Sequence, residues 1–174
     1  MDWKYLFMSF EGRIGRKSWW LGTIAMIVVA IILYLILSAI MGTGISAMMN
    51  PEKVMEPGFM ESYMRSAAWQ QLISLVLLGY PATALMSKRL NDRERPSWMK
   101  WVFWAPTVLS VLLGLTGMAY TSTDMGNGVM MPTPTMLTTV LGVLSIIVGV
   151  WALVELGFLR GTDGDNQHGQ NPLA

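Results

Sequence analysis

Residues 88–104 read KRLNDRERPSWMKWVFW, and this stretch decides how the rest of the chain is arranged. Four lysines and arginines lie between positions 88 and 95, and a tryptophan-rich start of an apolar segment follows them. Long runs that avoid charge lie on both sides of the stretch. A basic elbow between two apolar runs is typical of the cytoplasmic side of a multi-pass membrane protein. The stretch therefore indicates both the class of the protein and its orientation.

The composition favours the same class. Of the 174 residues, 53% are hydrophobic and 13% are charged, whereas about 25% of the residues in a typical soluble domain are charged. The formal net charge is only +1, so no overall field favours binding to nucleic acid. The chain has no cysteine, which excludes disulfides, cysteine metal sites and thiol catalysis.

Four apolar segments are predicted to be membrane-spanning helices. The clearest contains 23 residues without a charge, which is long enough to cross the hydrocarbon core. In the N-terminal segment before this first span, large apolar side chains recur at helical spacing and predict a short interfacial helix. We expect an all-α integral membrane protein, a four-helix bundle forming a single domain over residues 1–174. The predicted spans are 19–41, 67–87, 98–120 and 136–159.

Lysines and arginines are distributed unevenly over the connections. The N-terminal segment, the elbow 88–97 with Lys100, and the tail 160–174 hold ten of them. The outer loops, 42–66 and 121–135, hold two. Because positively charged residues are enriched in cytoplasmic loops, both termini and the elbow are predicted to lie in the cytoplasm.

Three local patterns give expectations for the first outer loop. Glycines at positions 42 and 44 predict the end of the first long helix. Asn50 followed by Pro51 is typical of an N-cap with proline at the first helical position. Further along, Glu61 and Arg65 have the spacing of an ion pair on one helix face.

Glu155 is the one acid inside the predicted spans. It lies about one turn, on the order of 6 Å, from the cytoplasmic end of its helix. Lys100 lies at a similar depth in the third span, and we expect the two charges to pair within the membrane. Glu155 is then either a relay residue for protons or ions, or a paired carboxylate that fixes helix packing. Its shallow depth favours the packing role.

Small residues line one face of the fourth predicted span. This helix-packing seam consists of Gly142, Ser145, Gly149 and Ala152. Such a seam allows a neighbouring helix to approach closely. Two alternatives remain open at this point: packing within the chain, or contact between subunits of an oligomer.

The sequence predicts no enzyme, no metal site and no cofactor. In the tail, His168 is a possible metal ligand, and Asp163 and Asp165 place oxygen ligands at alternate positions as at the start of a calcium loop. However, the glycine is misplaced and no glutamate closes a twelve-residue loop. The methionines of the outer loops lack the repeated spacing that a Cu(I) site would favour. No nucleophile–base pair, zinc motif or phosphate loop is present.

Three motifs resemble those of a known family. FEGRIGRKSWW at 10–20 resembles its opening pattern F-x-G-R-x-x-R-x-x-[FW]-W, KRLND at 88–92 resembles its basic elbow, and GTDGDNQHG at 161–169 resembles its ending. The family is the domain of unknown function 805 (DUF805), small proteins of the bacterial inner membrane. The resemblance implies a multi-helix inner-membrane protein and no particular activity. Asn91 stands where the family usually has histidine, and His168 where it usually has an aromatic, which argues against acid–base chemistry at either position.

All three motifs fall on the predicted cytoplasmic side. We expect them to form a structural polar cap across the inner end of the bundle from Arg13, Arg16, Arg89, Asp92, Asp165 and Asn166. The favoured function is a membrane-embedded accessory or interaction subunit whose basic cap contacts a partner membrane protein or anionic lipid headgroups. The alternative is a small transporter or channel, alone or as a homo-oligomer, with Glu155 as the ion-coupled or proton-coupled residue.

Overall fold

The computed structural model describes residues 2–56, 58–124, 126 and 130–172. Parts of the predicted segments lie outside these residues, namely Met1 of the N-terminal segment, Pro57 of the first outer loop, Met125 and 127–129 of the second outer loop, and the last two residues of the tail. The described chain is mostly helical. In chain order its elements are α1 Trp3–Met8, α2 Arg16–Met41, α3 Ile45–Met48, α4 Pro51–Val54, α5 Phe59–Asp92, α6 Met99–Leu115, β1 Tyr120–Asp124, β2 Met130–Pro134, α7 Met136–Leu153 and a π-helical turn Val154–Phe158.

Two helices have the length and apolarity to cross a membrane. They are α2, and the segment Met136–Phe158 that α7 forms with the π-turn. Their most apolar windows have mean hydropathies of 3.0 and 2.4, yet only 6% of each window is buried. The core helix of a soluble protein would be mostly buried, because exposing so much apolar surface to water is unfavourable.

The third predicted span is shorter than expected. Helix α6 has 17 residues and is followed by Gly117 in a left-handed conformation with φ of 74°. Strands β1 and β2 then pair antiparallel, with Tyr120 opposite Pro134. The prediction of a purely α-helical chain is therefore wrong here. The β-branched threonines favour extended structure, and a two-stranded hairpin tolerates proline because both of its strands are edges.

The basic elbow is also shorter than predicted. Helix α5 continues to Asp92 instead of ending at position 87. Glu94 takes a φ of 50°, and the backbone N–H of Arg95 donates to the Leu90 carbonyl at 2.9 Å, as expected at a helix C-terminus. The residues 88–92 thus lie on a helix, and their side chains can be buried.

The three local patterns of the first outer loop are confirmed. Helix α2 ends before Gly42, which has a φ of 70°. The side chain of Asn50 accepts backbone N–H groups in the first turn of α4. Arg65 Nη2 lies 3.1 Å from Glu61 Oε1, and both side chains are exposed.

The chain forms two compact units. The first comprises Met1–Ala30, Val76–Ala105 and Ile146–Ala174, and the second comprises Ile31–Leu75 and Pro106–Ser145. In the first unit, the rings of Phe103 and Trp151 meet edge to face at 5.1 Å between centroids. The core of this unit consists of Leu6, Ile14, Trp19, Leu85, Leu90, Met99, Phe103 and Leu156.

The second unit is held partly by a buried amide. Gln70 is 5% exposed, and its Nε2 donates to the Tyr34 carbonyl at 3.3 Å. The hydroxyl of Thr43 donates to the other end of the amide, while Tyr63 donates to the Thr43 carbonyl at 3.0 Å. These bonds satisfy polar groups that are costly to bury unpaired.

The short N-terminal helix is present as α1, with six residues. It ends well before Gly12, whose φ of 85° suits glycine. Leu6 is 2% exposed and belongs to the core of the first unit. The segment is thus attached to this unit through an apolar anchor.

The π-turn packs closely against two tryptophans, which gives a first test of the fold. A Cβ added at Gly157 would lie 2.9 Å from a ring atom of Trp19 and 3.0 Å from one of Trp20. We predict that Gly157→Ala lowers the free energy of unfolding by about 1–3 kcal/mol, the usual cost of overpacking. The measurement is the apparent melting temperature in detergent, with unfolding monitored by tryptophan fluorescence.

Gly149→Ala is the matched control on the same helical segment. A Cβ there would meet no described atom within 4 Å, so this variant should melt no lower than wild type. Equal melting temperatures for the two variants would contradict the packing of the π-turn against the tryptophans.

Candidate functional site

The polar side chains of the first unit converge on Asp92, the last residue of α5. Its Oδ1 lies 3.1 Å from Arg13 Nη2 and accepts a hydrogen bond from Arg13 Nε at 3.2 Å. Its Oδ2 pairs with Arg89, one turn earlier on the same helix. All three side chains are at most 4% exposed. A buried ion triad of this kind is sensitive to the loss of any member, because the remaining charges stay buried without compensation.

Arg13 also binds the C-terminal tail. Its Nη1 donates to the carbonyl of Gly164 at 2.8 Å, and its Nη2 donates to that of Thr162 at 2.9 Å. The guanidinium presents five donors in a planar fork, so it can bind a carboxylate and several carbonyls at once. One side chain therefore connects the N-terminal segment, the end of α5 and the tail.

The tail lies directly against Asp92 because it has glycine at position 161. A Cβ on Gly161 would overlap the Asp92 carboxylate. The next residue, Thr162, donates its backbone N–H to the Asp92 carbonyl at 2.8 Å. Asn166 Nδ2 donates to the neighbouring carbonyl of Asn91 at 3.1 Å. The tail is thus fixed to two carbonyls at the C-terminus of α5, where the last helical carbonyls need donors.

Two arginines bind the π-turn, Arg89 of the triad and Arg16. Arg89 Nε donates to the Leu156 carbonyl at 2.7 Å, and its Nη2 donates to that of Leu159. Arg16 Nη1 donates to the Phe158 carbonyl at 3.2 Å. Positive charge at a helix C-terminus also interacts favourably with the helix dipole. The end of the last helix is therefore capped by side chains from distant parts of the sequence.

The six residues predicted for the polar cap do not all converge. Three lie together at its centre: Arg13, Arg89 and Asp92. Arg16 is exposed at the edge, and Asn166 holds the tail through backbone carbonyl and threonine partners. Asp165 remains apart, because its carboxylate accepts the backbone N–H of Asn171 at 2.9 Å within the tail.

Glu155 lies in the π-turn and is 4% exposed. Arg95 Nε donates to its Oε1 at 2.7 Å, and Arg93 Nε lies 3.1 Å from the same oxygen. The predicted pairing of Glu155 with Lys100 is therefore wrong. The turn after α5 brings two guanidinium groups to this carboxylate, and the spacing of charges along the chain did not indicate this approach.

Lys100 interacts with aromatic rings instead. Its Nζ lies 6.0 Å from the ring centroid of Phe10 and 5.7 Å from that of Trp101, distances suitable for cation–π contacts. Together with Asn91 and His168 it lines a cavity of about 450 Å³ in the first unit. Asn91 Nδ2 donates to the Gly12 carbonyl at 3.1 Å, so this amide joins two chain segments.

The predicted seam on the fourth span makes little contact within the chain. A Cβ at Gly142 or at Gly149 would meet no atom of the described residues within 4 Å. The hydroxyl of Ser145 donates to the Leu141 carbonyl of its own helix at 2.7 Å. Ala152 packs against the core of the first unit. Gly142 and Gly149 are therefore open positions on α7 with respect to the described residues.

Lys88 has a structural role that its place in the basic elbow did not indicate. It is fully buried, and its Nζ donates to the carbonyls of Tyr5 at 2.6 Å, Leu6 at 2.7 Å and also Ser9. The ammonium thus caps the C-terminus of α1, whose last carbonyls lack helical partners. Burial lowers the pKa of Lys88 to about 8, which leaves it mainly protonated at neutral pH. A helix as short as α1 leaves its last carbonyls without helical partners. This was the feature of the sequence that could have indicated a capping cation.

A second cavity of about 500 Å³ in the first unit lies beside the ion triad. Arg16, Lys17 and Arg160 contribute to its wall, together with Asp163. Glu155 lines neither this cavity nor the smaller one. Among the described residues, no group of three or more histidine, aspartate or glutamate side chains is placed to hold a metal ion.

These features define a small, mostly helical chain with two candidate membrane-spanning helices and a buried ion network that joins segments distant in sequence. Residues 7–170 match the family model described as "Protein of unknown function (DUF805)". The chain belongs to this family, which confirms the resemblance of its three motifs. Arg13, Asp92 and Thr162 come one from each motif, so the motifs meet in the ion network. No curated protein and no solved structure matches the chain significantly.

The ion triad predicts a large difference between two carboxylate substitutions. Asp92→Asn leaves Arg13 and Arg89 buried without a counter-charge, so we expect the free energy of unfolding to fall by about 3–5 kcal/mol. Glu61→Gln is the control, because it removes the exposed ion pair with Arg65 and should cost about 0.5 kcal/mol or less. The measurements are the apparent melting temperature in detergent and the amount of protein in membranes. Similar values for both variants would rule out a stabilising triad.

Proposed function

We propose that this protein is an accessory subunit of the bacterial inner membrane, with four membrane-spanning segments and both termini in the cytoplasm. The four spans are helix α2, residues 67–87 of α5, helix α6 and the segment Met136–Phe158. Helix α6 has 17 residues, which extend about 26 Å. This length fits a bilayer that thins slightly around a short helix. The excess of lysine and arginine in the N-terminal segment, the elbow and the tail supports the orientation.

The single observation that carries the proposal is that the buried charged residues, those of the motifs and Glu155, are engaged in holding the first unit together. Asp92 and Glu155 are each paired with two arginines, and Lys88 is bonded to three carbonyls. A general acid, general base or nucleophile must be able to reach a substrate and change its protonation state. Groups bound in this manner are poorly suited to that task, which favours an interaction protein over an enzyme.

The remaining surface suits contact with other membrane components. The exposed faces of α2 and of α7 carry large aliphatic side chains, and the open positions of Gly142 and Gly149 lie on α7. Small residues on an exposed helix face allow a second helix to pack closely in a membrane. These positions support a membrane protein partner, or a second copy of this chain, at α7.

The transporter alternative is less well supported. It requires Glu155 to bind and release a proton or ion along a water-filled path. Glu155 is instead 4% exposed and paired with Arg93 and Arg95, and it lines neither of the two cavities of the first unit described above. This enclosure favours the packing role of the carboxylate over a transport role.

The topology can be tested directly because the chain contains no cysteine. Single cysteines would replace four exposed residues: Ser46, Ser122, Ser97 and Gln170. We expect a membrane-impermeant maleimide to label the first two on intact spheroplasts and the last two only after lysis. Labelling of Ser97→Cys or Gln170→Cys in intact spheroplasts would contradict the proposed orientation.

The accessory function predicts a stoichiometric partner. The tagged protein would be purified in mild detergent. The mass of the intact complex would be determined and its protein components identified by mass spectrometry. We expect a second membrane protein that is lost from the Gly142→Leu/Gly149→Leu variant, since leucine blocks close approach at the seam. Val143→Leu/Val150→Leu, at exposed neighbouring positions, is the matched control and should retain the partner. A homo-oligomer with no second protein would overturn the accessory function and favour the transporter.

A further inference from the structure

The cavity beside the ion triad lies between the ends of the two candidate membrane-spanning helices. Arg16 and Lys17 are the first residues of α2, and Arg160 follows the π-turn by two positions. The two ends are joined by the hydrogen bond from Arg16 to the Phe158 carbonyl. The rings of Trp20 and Phe158 meet there at 5.7 Å, and tryptophan is enriched at the headgroup level of a bilayer. With the topology of the proposed function, on which this inference rests, the cavity opens among the cytoplasmic headgroups.

The charge on the cavity wall is mainly positive. Arg89 and Asp92 also line it, but they neutralise each other within the triad. Lys17 and Arg160 are exposed, and neither side chain makes a hydrogen bond or an ion pair with the part of the chain that the structure describes. With Arg16 they outnumber the one exposed acid, Asp163. The first turn of α2 adds backbone N–H groups without helical acceptors and a partial positive charge.

An apolar track continues from this cavity along α2. Leu21, Ile24 and Val28 follow Lys17 at helical spacing on one face, and they are 44%, 54% and 51% exposed. A phosphate held at Lys17 would therefore leave the attached acyl chains beside an exposed aliphatic stripe. A soluble phosphate compound would gain nothing from these three side chains.

We propose that the cavity binds the phosphate group of an anionic phospholipid from the cytoplasmic leaflet. Arginine and lysine bind phosphate oxygens through charge-assisted hydrogen bonds, and basic pockets at the cytoplasmic ends of membrane helices suit anionic headgroups. A zwitterionic headgroup is disfavoured, because its ammonium group would meet three cations. Phosphatidylglycerol should thus bind in preference to phosphatidylcholine.

The test uses the purified full-length protein, stripped of lipid in detergent and titrated with each of these two lipids. Bound lipid is counted by native mass spectrometry. In Lys17→Gln/Arg160→Gln, we expect the affinity for phosphatidylglycerol to fall about 25-fold, or about fivefold for each cation removed. Lys4→Gln/Lys53→Gln removes the same charge from exposed positions outside the cavity and should change the affinity less than twofold. An unchanged melting temperature would show that both double variants are folded.

Three results would overturn the proposal. Equal losses in the two double variants would mean attraction to surface charge in general. Equal affinity of the wild type for the two lipids would mean no recognition of negative charge. Displacement of phosphatidylglycerol by an equal concentration of inorganic phosphate would mean that the site takes a soluble phosphate instead. The experiment needs no partner protein, so its failure is distinct from failure of the partner purification or of the cysteine labelling.

Discussion

A carboxylate between two arginines, all removed from water, is the interaction on which the first unit depends. Asp92 compensates Arg13 and Arg89, and the spare donors of both arginines reach carbonyls of the tail and of the π-turn. Removing charged groups from water is costly unless they are paired and fully hydrogen-bonded. The buried charges are therefore fully paired and hydrogen-bonded only when the N-terminal segment, the end of α5 and the tail pack together.

Five cations of this unit fall into two groups by burial. Lys88, Arg89 and Arg13 are inside and bind carbonyl and carboxylate oxygens. Lys17 and Arg160 remain exposed. A count of positive residues treats all five alike as an indication of the cytoplasmic side. In the folded chain the first group stabilises structure, and the second is available to ligands.

Some features could be predicted from the local sequence because they depend on neighbouring residues only. The end of α2 before Gly42, the cap at Asn50 and the ion pair of Arg65 are of this kind. The ion-pair partners of Glu155 could not be predicted in this way, since they depend on where the turn after α5 lies relative to the π-turn. The β-hairpin was missed because its prolines argue against strands, although edge strands tolerate them.

The sequence by itself determined the mostly helical class and the long apolar segments, because composition and periodicity along the chain specify these properties. The resemblance of its three motifs indicated the family, which the family model matches over residues 7–170. The sequence also determined that the three motifs contain charged residues able to pair. Only the tertiary structure decided which of them do so. Arg13 and Asp92 are 79 residues apart, and Arg13 and Thr162 are 149 apart. Contacts over such separations depend on how the helices pack and where their ends meet, and no local pattern encodes that geometry.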